Sequence, residues 1–248
     1  MPRGSWAIVG LLGCVGLALA FASLAGDLRQ VALPPPGREG WEPLTFPKVS
    51  SHTRYMPNSI DDREGVRAES RCAASALVYP LDDIDLAQTP LLGWEWRVER
   101  ALEIADHRVK AGDDFAARVY VIFEFEPKHA SRWERIRRRA ARSVFGIELP
   151  GNALNYVWSS RERAGATWDN PYTERSKMIS RGNGPLGAWR SEAVDVLADY
   201  RRLFGEPPGL KAVALMTDSD DSCQEATAYY ANLVFTSPEN RPHAAELR

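Results

Sequence analysis

The sequence lacks the short motifs that mark common hydrolases and metalloenzymes. It contains no G-x-S-x-G turn, no H-E-x-x-H helix and no C-x-x-C pair. Its four histidines stand singly along the chain, so no two of them have the spacing typical of zinc ligands. These absences leave zinc chemistry and serine-based hydrolysis without support from the sequence.

Net charge and cysteine content are also low. The chain has 31 basic and 33 acidic residues, a formal net charge of −2. Nucleic-acid-binding domains are typically strongly basic, so this composition argues against that class of protein. Of its three cysteines, Cys14 lies in the N-terminal apolar stretch, which leaves Cys72 and Cys223. Two cysteines so far apart carry no spacing signature, so a disulfide and two separately buried thiols both remain open.

A long apolar stretch opens the chain, with Arg3 as its only charge and small residues near its end. This pattern predicts a signal peptide over residues 1–25 and export, most simply to the periplasm. The alternative is an uncleaved N-terminal helix that anchors the protein in a membrane. Residues 26–40 are rich in proline and predict a flexible linker, followed by a single domain over 41–236 and a C-terminal tail over 237–248.

Alternating apolar and polar residues are the main secondary-structure signal. The pattern recurs in LGWEWRVE, DDFAARVYVIFEFE, NALNYVW and AYYANLVF. Many such strands separated by polar turns predict an all-β fold, with two antiparallel sheets packed as a jelly-roll-like β-sandwich. Two amphipathic helices are predicted on connections, SRWERIRRRAARSVFG and SEAVDVLADYRRLFG, the second with Ser191 as its N-cap.

Six motifs together carry a family resemblance. They occur in the order WEWRV, GDDFAARVYVIFEFE, ALNYVW, DYRRLFGEPP, MTDSDD and AYYANLVF. In this combination the chain resembles the uncharacterised bacterial family called domain of unknown function 3047, over residues 41–236. The resemblance implies exported bacterial proteins and brings no assigned activity. In architecture alone, the strand pattern is also similar to jelly-roll carbohydrate-binding modules.

The strand faces opposite the predicted core carry polar and aromatic residues. Aromatic residues that alternate in phase with aliphatic ones are predicted to be core, namely Trp94, Trp96, Tyr156 and Trp158. The opposite faces carry Glu95, Arg97, Arg118, Tyr120, Asn155, Tyr230 and Asn232, which line one surface if their strands share a sheet. Adding aromatic residues from loop-like segments, we predict ligand contacts at Arg97, Arg118, Tyr120, Asn155, Trp168, Tyr172 and Trp189. The alternative is a solvated sheet face with cross-strand ion pairs.

The stretch MTDSDDS places three carboxylates, Asp218, Asp220 and Asp221, on a connection between two predicted strands. Three interpretations remain open. The aspartates can cap their own turn, or they can form a calcium site, since calcium prefers clustered carboxylate and carbonyl oxygens. In the third interpretation, Asp218 or Asp220 forms a catalytic carboxylate pair with Asp114.

These observations lead to one functional hypothesis and two alternatives. We expect an exported, non-catalytic binding module for a polar, glycan-like ligand of the cell envelope, with calcium as the one cofactor that the sequence suggests. The alternatives are a carboxylate-dependent glycan hydrolase and a structural envelope protein. Nucleic acid is not an expected partner, and membrane contact is expected only through an uncleaved leader or the basic helix at Arg132–Arg142.

Overall fold

The computed structural model describes residues 30–82, 84–126 and 151–240. Within these ranges the chain forms one α-helix, α1 at Val196–Phe204, and thirteen strands. The strands are β1 Gln30–Ala32, β2 Glu42–Leu44, β3 Arg54–Ile60, β4 Arg63–Arg71, β5 Ala76–Pro80, β6 Leu91–Arg100, β7 Arg118–Phe123, β8 Ala153–Val157, β9 Thr167–Asn170, β10 Thr173–Ser180, β11 Trp189–Asp195, β12 Leu210–Met216 and β13 Glu225–Thr236. The predicted leader and the predicted basic helix lie outside the described residues.

The strands form two sheets, which confirms the predicted all-β sandwich. Sheet A has the order β11-β6-β13-β4-β3, and β1 pairs with the C-terminal end of β13. Sheet B has the order β2-β5-β12-β7-β8-β10-β9. All neighbours are antiparallel except β8 and β10, which are parallel. This parallel pair departs from the predicted antiparallel pairing. It arises because β9 forms the edge of the sheet, and β10 then returns into the position between β9 and β8.

The inner faces of the two sheets form the core. Trp94 and Trp96 are fully buried and meet edge to face, with ring centroids 5.3 Å apart. Tyr156 and Trp158 from sheet B pack against them at 5.6 and 5.9 Å. These four rings are the predicted core aromatics, and their burial confirms that the alternation identified the inward faces of β6 and β8.

A β-bulge changes the inward face of β13. The register shifts between Ala231 and Val234, and Asn232 has a φ of 54°, a conformation that asparagine tolerates better than most residues. Before the bulge, Tyr230 faces the core and its hydroxyl donates to the carbonyl of Met216 at 2.7 Å. The predicted outward position of Tyr230 is therefore wrong, because one extra residue reverses the alternation.

The second predicted helix begins later than expected. Residues from Trp189 to Asp195 form β11, which pairs with β6 in an antiparallel register. Asp195, not Ser191, is the N-cap of α1, and its carboxylate accepts the N–H of Ala198 at 2.8 Å. Pairing with β6 thus overrides the helical pattern of this segment, and the helix ends at Gly205, as the sequence predicted.

The predicted linker does not extend to residue 40. Gln30–Ala32 is paired with β13, and the indole N–H of Trp41 donates to the carbonyl of Pro34 at 2.9 Å. Residues 30–40 therefore belong to the folded body. A search of the described residues finds no helix that is long and apolar enough to cross a membrane.

Candidate functional site

The candidate site lies on the outer face of sheet B, where β7 and β8 are neighbours. Tyr120 is the direct partner of Asn155, and Arg118 is the partner of Val157. Because side chains alternate along a strand, Arg118, Tyr120 and Asn155 all point away from the core. The structure therefore brings together three of the predicted ligand-binding residues on one surface.

Arg118 is the centre of a buried ionic network. Its side chain is fully buried, and its Nε donates to Asp218 Oδ1 at 2.8 Å. One terminal nitrogen donates to Asp218 Oδ2 and to the carbonyl of Asp113. The other donates to Tyr120 Oη at 3.2 Å and meets Asp113 Oδ1 at 3.4 Å. All five guanidinium N–H groups therefore have acceptors within the protein.

The network keeps Arg118 charged. Burial opposes the charge of its guanidinium, but the negative charges of Asp218 and Asp113 outweigh burial and raise the pKa of Arg118 well above its usual value. Since its donors are all used internally, Arg118 acts as a counter-ion that positions Tyr120 and Asp113. Arg118, which was predicted as a ligand contact, is therefore placed where it holds Tyr120 and Asp113 in position.

The edge strand β9 adds an amide to this network. Asn170 Nδ2 donates to Asp113 Oδ2 at 2.8 Å, and Asn170 Oδ1 accepts the backbone N–H of Tyr172 at 3.0 Å. Burial raises the pKa of Asp113, and the charge of Arg118 and the hydrogen bond from Asn170 oppose that rise. The sequence did not connect Asn170 with Asp113, because their hydrogen bond spans 57 residues, which no local pattern reveals.

The acidic loop after β12 folds against Asp114. The Asp114 carboxylate accepts the backbone N–H groups of Asp221 at 3.3 Å and Ser222 at 2.6 Å. Oxygens of Asp114, Asp218 and Asp220 lie within 4.8 Å of one another. Burial, followed by the charge of Asp114, raises the pKa of Asp220. The turn is therefore capped by Asp114, from outside the loop, which differs from the predicted capping of the turn by its own aspartates.

Asp221 is not part of this carboxylate group. Both of its side-chain oxygens lie 2.8 Å from the hydroxyl of Tyr172, which donates to them. A cation held by three carboxylates here would therefore use Asp114, whereas the sequence suggested Asp218, Asp220 and Asp221. Because Asp218 already has Arg118 as its counter-ion, this grouping gives the predicted calcium site little support.

A disulfide and a serine pair fix the acidic loop. Cys72, at the end of β4, is bonded to Cys223. The hydroxyls of Ser70 and Ser219 are 2.6 Å apart, and the N–H of Ser219 donates to the carbonyl of Ala73 at 2.9 Å. The loop that carries Asp218 is therefore held to sheet A as well as to Arg118.

Several polar groups on the same face have unused hydrogen-bonding capacity within the described residues, among them Asn155, Ser176 and the indole N–H of Trp168. Asn155 is fully buried and its Nδ2 lies 3.2 Å from the sulfur of Met178, but its Oδ1 accepts no hydrogen bond within the described part of the chain. Ser176, 7% exposed, likewise has an unpartnered Oγ there. Both project from the face that carries Met178, because β10 pairs with β8. A buried polar atom left without a partner costs about 1–3 kcal/mol.

Arg97 and Trp189 lie on the other side of the sandwich. They are register partners on the outer face of sheet A, where Asp61 Oδ2 accepts from Arg97 at 3.0 Å and from the Trp189 indole at 3.1 Å. The condition for these polar residues to line one surface, that their strands share a sheet, is therefore not met, because β6 and β7 belong to different sheets. Trp168 and Trp189 also lie in strands and not in loops, whereas Tyr172 follows β9 in a turn and is 55% exposed.

Solved structures with a similar fold include carbohydrate-binding modules. A family 11 module from Clostridium thermocellum, solved with a β-1,3-1,4-mixed-linked tetrasaccharide, is 11% identical, with a TM-score of 0.41, and the match covers 84% of this chain and 96% of that one. A family 30 module of a cellulosomal cellulase from Clostridium thermocellum is 10% identical, with a TM-score of 0.46 and coverages of 86% and 100%. The likeness is one of fold, and the sequence matches no curated protein.

The family assignment follows from the sequence itself. Residues 39–234 match the family model described as "Protein of unknown function (DUF3047)". The match spans nearly the same residues as the resemblance that the six motifs carry, 41–236, and confirms it. The chain therefore belongs to the DUF3047 family.

Proposed function

We propose that the protein is a non-catalytic binding module that holds a polar, glycan-like ligand on the outer face of sheet B. The observation that carries the proposal is the buried Oδ1 of Asn155, which has no partner within the described residues and adjoins Tyr120. A hydroxyl-rich ligand supplies the missing donor. Arg118, Asp113 and Asp218 form the fixed support behind this pair.

Asn155 offers a hydrogen-bond acceptor and Tyr120 a donor to a hydroxyl-rich ligand. The hydroxyl oxygen of Tyr120 accepts from Arg118, and its own proton has the sulfur of Met216, at 3.9 Å, as its acceptor. A thioether is a weak acceptor, so this proton is available to a better one. A ligand with several hydroxyls can donate to Asn155 Oδ1 through one of them and accept from Tyr120 through another.

Tyr172 supplies an aromatic surface at the rim of the site. It is more than half exposed, and its orientation is fixed by Asp221 at the hydroxyl and by Asn170 at the backbone. The ammonium of Lys110 lies 5.1 Å from the ring centroid. A ring held in one orientation loses little conformational entropy on binding, which suits it to stack against a sugar.

We also propose that the protein is exported to the cell envelope. The predicted leader supports this location, and so does the bond between Cys72 and Cys223, because disulfides persist in oxidising compartments. Periplasmic location is tested by fractionating cells that express the full chain. Recovery of the protein in the cytoplasm with free thiols would contradict this proposal.

A carboxylate-dependent glycan hydrolase is the second candidate, favoured by the grouping of Asp114, Asp218 and Asp220. Two of these carboxylates are already committed, Asp114 to two backbone N–H groups and Asp218 to Arg118 and the N–H of Phe115. Asp220 combines a pKa raised by burial with partial exposure, and both suit a general acid. Turnover of an envelope polysaccharide that is lost in Asp220→Asn, with an unchanged melting temperature, would establish this candidate instead.

The binding proposal is tested with Asn155→Leu. Leucine has the same branching as asparagine and removes the unpartnered oxygen, but its bulkier methyl groups overpack a buried position, so we expect a loss of stability of at most about 1–3 kcal/mol and loss of glycan binding. Asn58→Leu, on β3 of sheet A, is the matched control and should bind normally. The readouts are a glycan array followed by calorimetric titration. Full binding by Asn155→Leu, or no array binding by the folded wild type, would overturn the proposal; crosslinking to a protein partner alone would favour a structural role.

A further inference from the structure

A cavity of about 360 Å³ lies at one end of the sandwich, where β7 ends, β8 begins and α1 ends. Its volume is at the lower end of the range of ligand pockets, roughly 300–1,000 Å³. The lining includes Glu124, Asn152, Tyr200, Phe204 and Pro208. Carbon surface and polar side-chain atoms therefore face one space, which is separate from the proposed glycan face.

The hydroxyl of Tyr200 has an unused hydrogen-bond donor. Tyr200 is 3% exposed, and its ring packs against Phe123 and Phe204, with centroids 4.1 and 5.1 Å away. The hydroxyl oxygen accepts from Asn152 Nδ2 at 3.1 Å, but within the described residues no acceptor receives its own proton. Burial raises the pKa of Tyr200, so the proton stays in place. A buried hydroxyl that lines a cavity in this state is suited to donate to an oxygen atom of a ligand.

The carboxylate of Glu124, the first residue after β7, is a second unused group. A Cβ atom at Gly209 would lie 3.0 Å from Glu124 Oε2, so the glycine leaves room for this carboxylate. Glu124 is exposed, and its carboxylate makes no ion pair or hydrogen bond within the part of the chain that the structure describes. Glu206, which also lines the cavity, is by contrast paired with Arg201 at 3.1 Å. Glu124 is therefore the carboxylate that can take a cationic group from a ligand.

The lining of the cavity carries more negative than positive charge. It holds three carboxylates and one guanidinium, that of Arg175. The carboxylates belong to Glu124, Glu126 and Glu206. Arg175 donates to Asn152 Oδ1 at 3.1 Å, and the nearby ammonium of Lys177 is paired with Asp169. An anionic ligand would therefore be repelled by the lining, whereas a cationic one would be attracted.

We infer that this cavity is a second binding site, which takes a small primary amine that also carries a hydroxyl group. The ammonium binds at the Glu124 carboxylate, and the hydroxyl oxygen of the ligand accepts from Tyr200. The carbon chain between them packs on Phe204 and Pro208. Hydrogen bonds between charged partners are about twice as strong as neutral ones, so the ammonium should determine the preference of the site.

The test uses three probes of equal chain length that differ at one end: 4-aminobutan-1-ol, butane-1,4-diol and 4-hydroxybutyrate. Each is titrated into the isotope-labelled full chain and followed by NMR. We expect the amine to bind about 5-fold more tightly than the diol, equivalent to about 1 kcal/mol, and the hydroxybutyrate to bind most weakly. The signals that shift should include those of Gly151 and Gly205, which line the cavity.

Variants separate the two contacts. Glu124→Gln should abolish the preference for the amine and leave diol binding unchanged. Tyr200→Phe keeps the ring and should weaken the amine and the diol alike, several-fold. Glu174→Gln, which removes an exposed carboxylate of β10 outside the cavity, is the matched control and should change neither. Equal binding of the amine and the diol, tighter binding of hydroxybutyrate, or no binding of any probe to the folded protein would overturn this inference. Each of these results leaves the proposed function standing, because the glycan array tests sheet B separately.

Discussion

Removal of the Arg118 guanidinium should destabilise the protein far more than removal of an exposed arginine. In Arg118→Met the carboxylates of Asp218 and Asp113 lose their counter-ion while they remain buried, and Tyr120 loses its donor. Methionine fills a similar volume, so the change tests the charge more than the packing. All five N–H groups of the guanidinium are hydrogen-bonded within the protein. Water cannot take over these bonds because the Arg118 side chain is only 2% exposed.

The expected magnitude follows from this burial. Removing one partner of a buried ion pair costs about 3–5 kcal/mol, so Arg118→Met should lower the free energy of unfolding by that amount. For a domain of this size each kcal/mol lowers the melting temperature by about 2–4 °C, so the predicted drop is roughly 6–20 °C. Arg97→Met is the control, since Arg97 is 20% exposed and pairs with Asp61 and Glu99 on sheet A. Its loss should cost about 0–1 kcal/mol.

Urea unfolding followed by circular dichroism measures both variants, and a double-mutant cycle isolates the pair. Arg118→Met combined with Asp218→Asn should cost less than the sum of the two single changes, because the second change removes the unpaired carboxylate. We expect a coupling energy of about 1–3 kcal/mol. Additive effects, or a cost for Arg118→Met as small as that of Arg97→Met, would refute the interpretation of Arg118 as the essential counter-ion.

Three further predictions concern the loops around the site. Reducing the Cys72–Cys223 bond should lower the free energy of unfolding by up to about 5 kcal/mol, because the bond closes a loop of 151 residues and so restricts the unfolded chain. Urea unfolding with and without reductant measures this difference. A calcium site filled at 100 times its Kd would add about 2.7 kcal/mol to the free energy of unfolding. We expect no such gain when thermal unfolding in calcium is compared with that in EDTA, because Asp218 is paired with Arg118. A calcium-induced rise in melting temperature that disappears in Asp220→Asn would disprove this. Tyr172→Ala should lower stability by only about 1 kcal/mol yet weaken glycan binding in titration.

Local alternation predicted the faces of individual strands but not the sheets to which they belong. The inward positions of the aromatic rings on β6 and β8 were predictable because alternation compares each residue only with the residues two positions away in the same strand. Arg97 and Arg118 show the same outward phase, yet they lie on opposite sides of the sandwich. Strand order depends on contacts between distant segments, and no periodicity within one segment encodes it.

The errors in β11 and β13 have the same origin. Asn232 introduces a bulge that reverses the phase of β13 within the strand, so a correct strand prediction still gave Tyr230 the wrong face. In β11, helical spacing and alternating spacing were both present, and pairing with β6 selected the strand. The candidate site was affected similarly: Asp218 was recognised as unusual, but its partner Arg118 is 100 residues away.

The buried charges at Arg118 are better explained by positioning than by stability. Taking an ion pair out of water costs so much that well-packed apolar residues in its place are often neutral or stabilising by about 1–4 kcal/mol. Stability alone would therefore favour an apolar cluster like the one that Tyr120 and Met216 already join on the same sheet face. The network instead fixes the Tyr120 hydroxyl and the Asp113 carboxylate, and through Asp113 it fixes Asn170 and the backbone that carries Tyr172. These groups lie on the strands next to Asn155 or at the exposed rim, which is the surface on which we propose that the ligand binds.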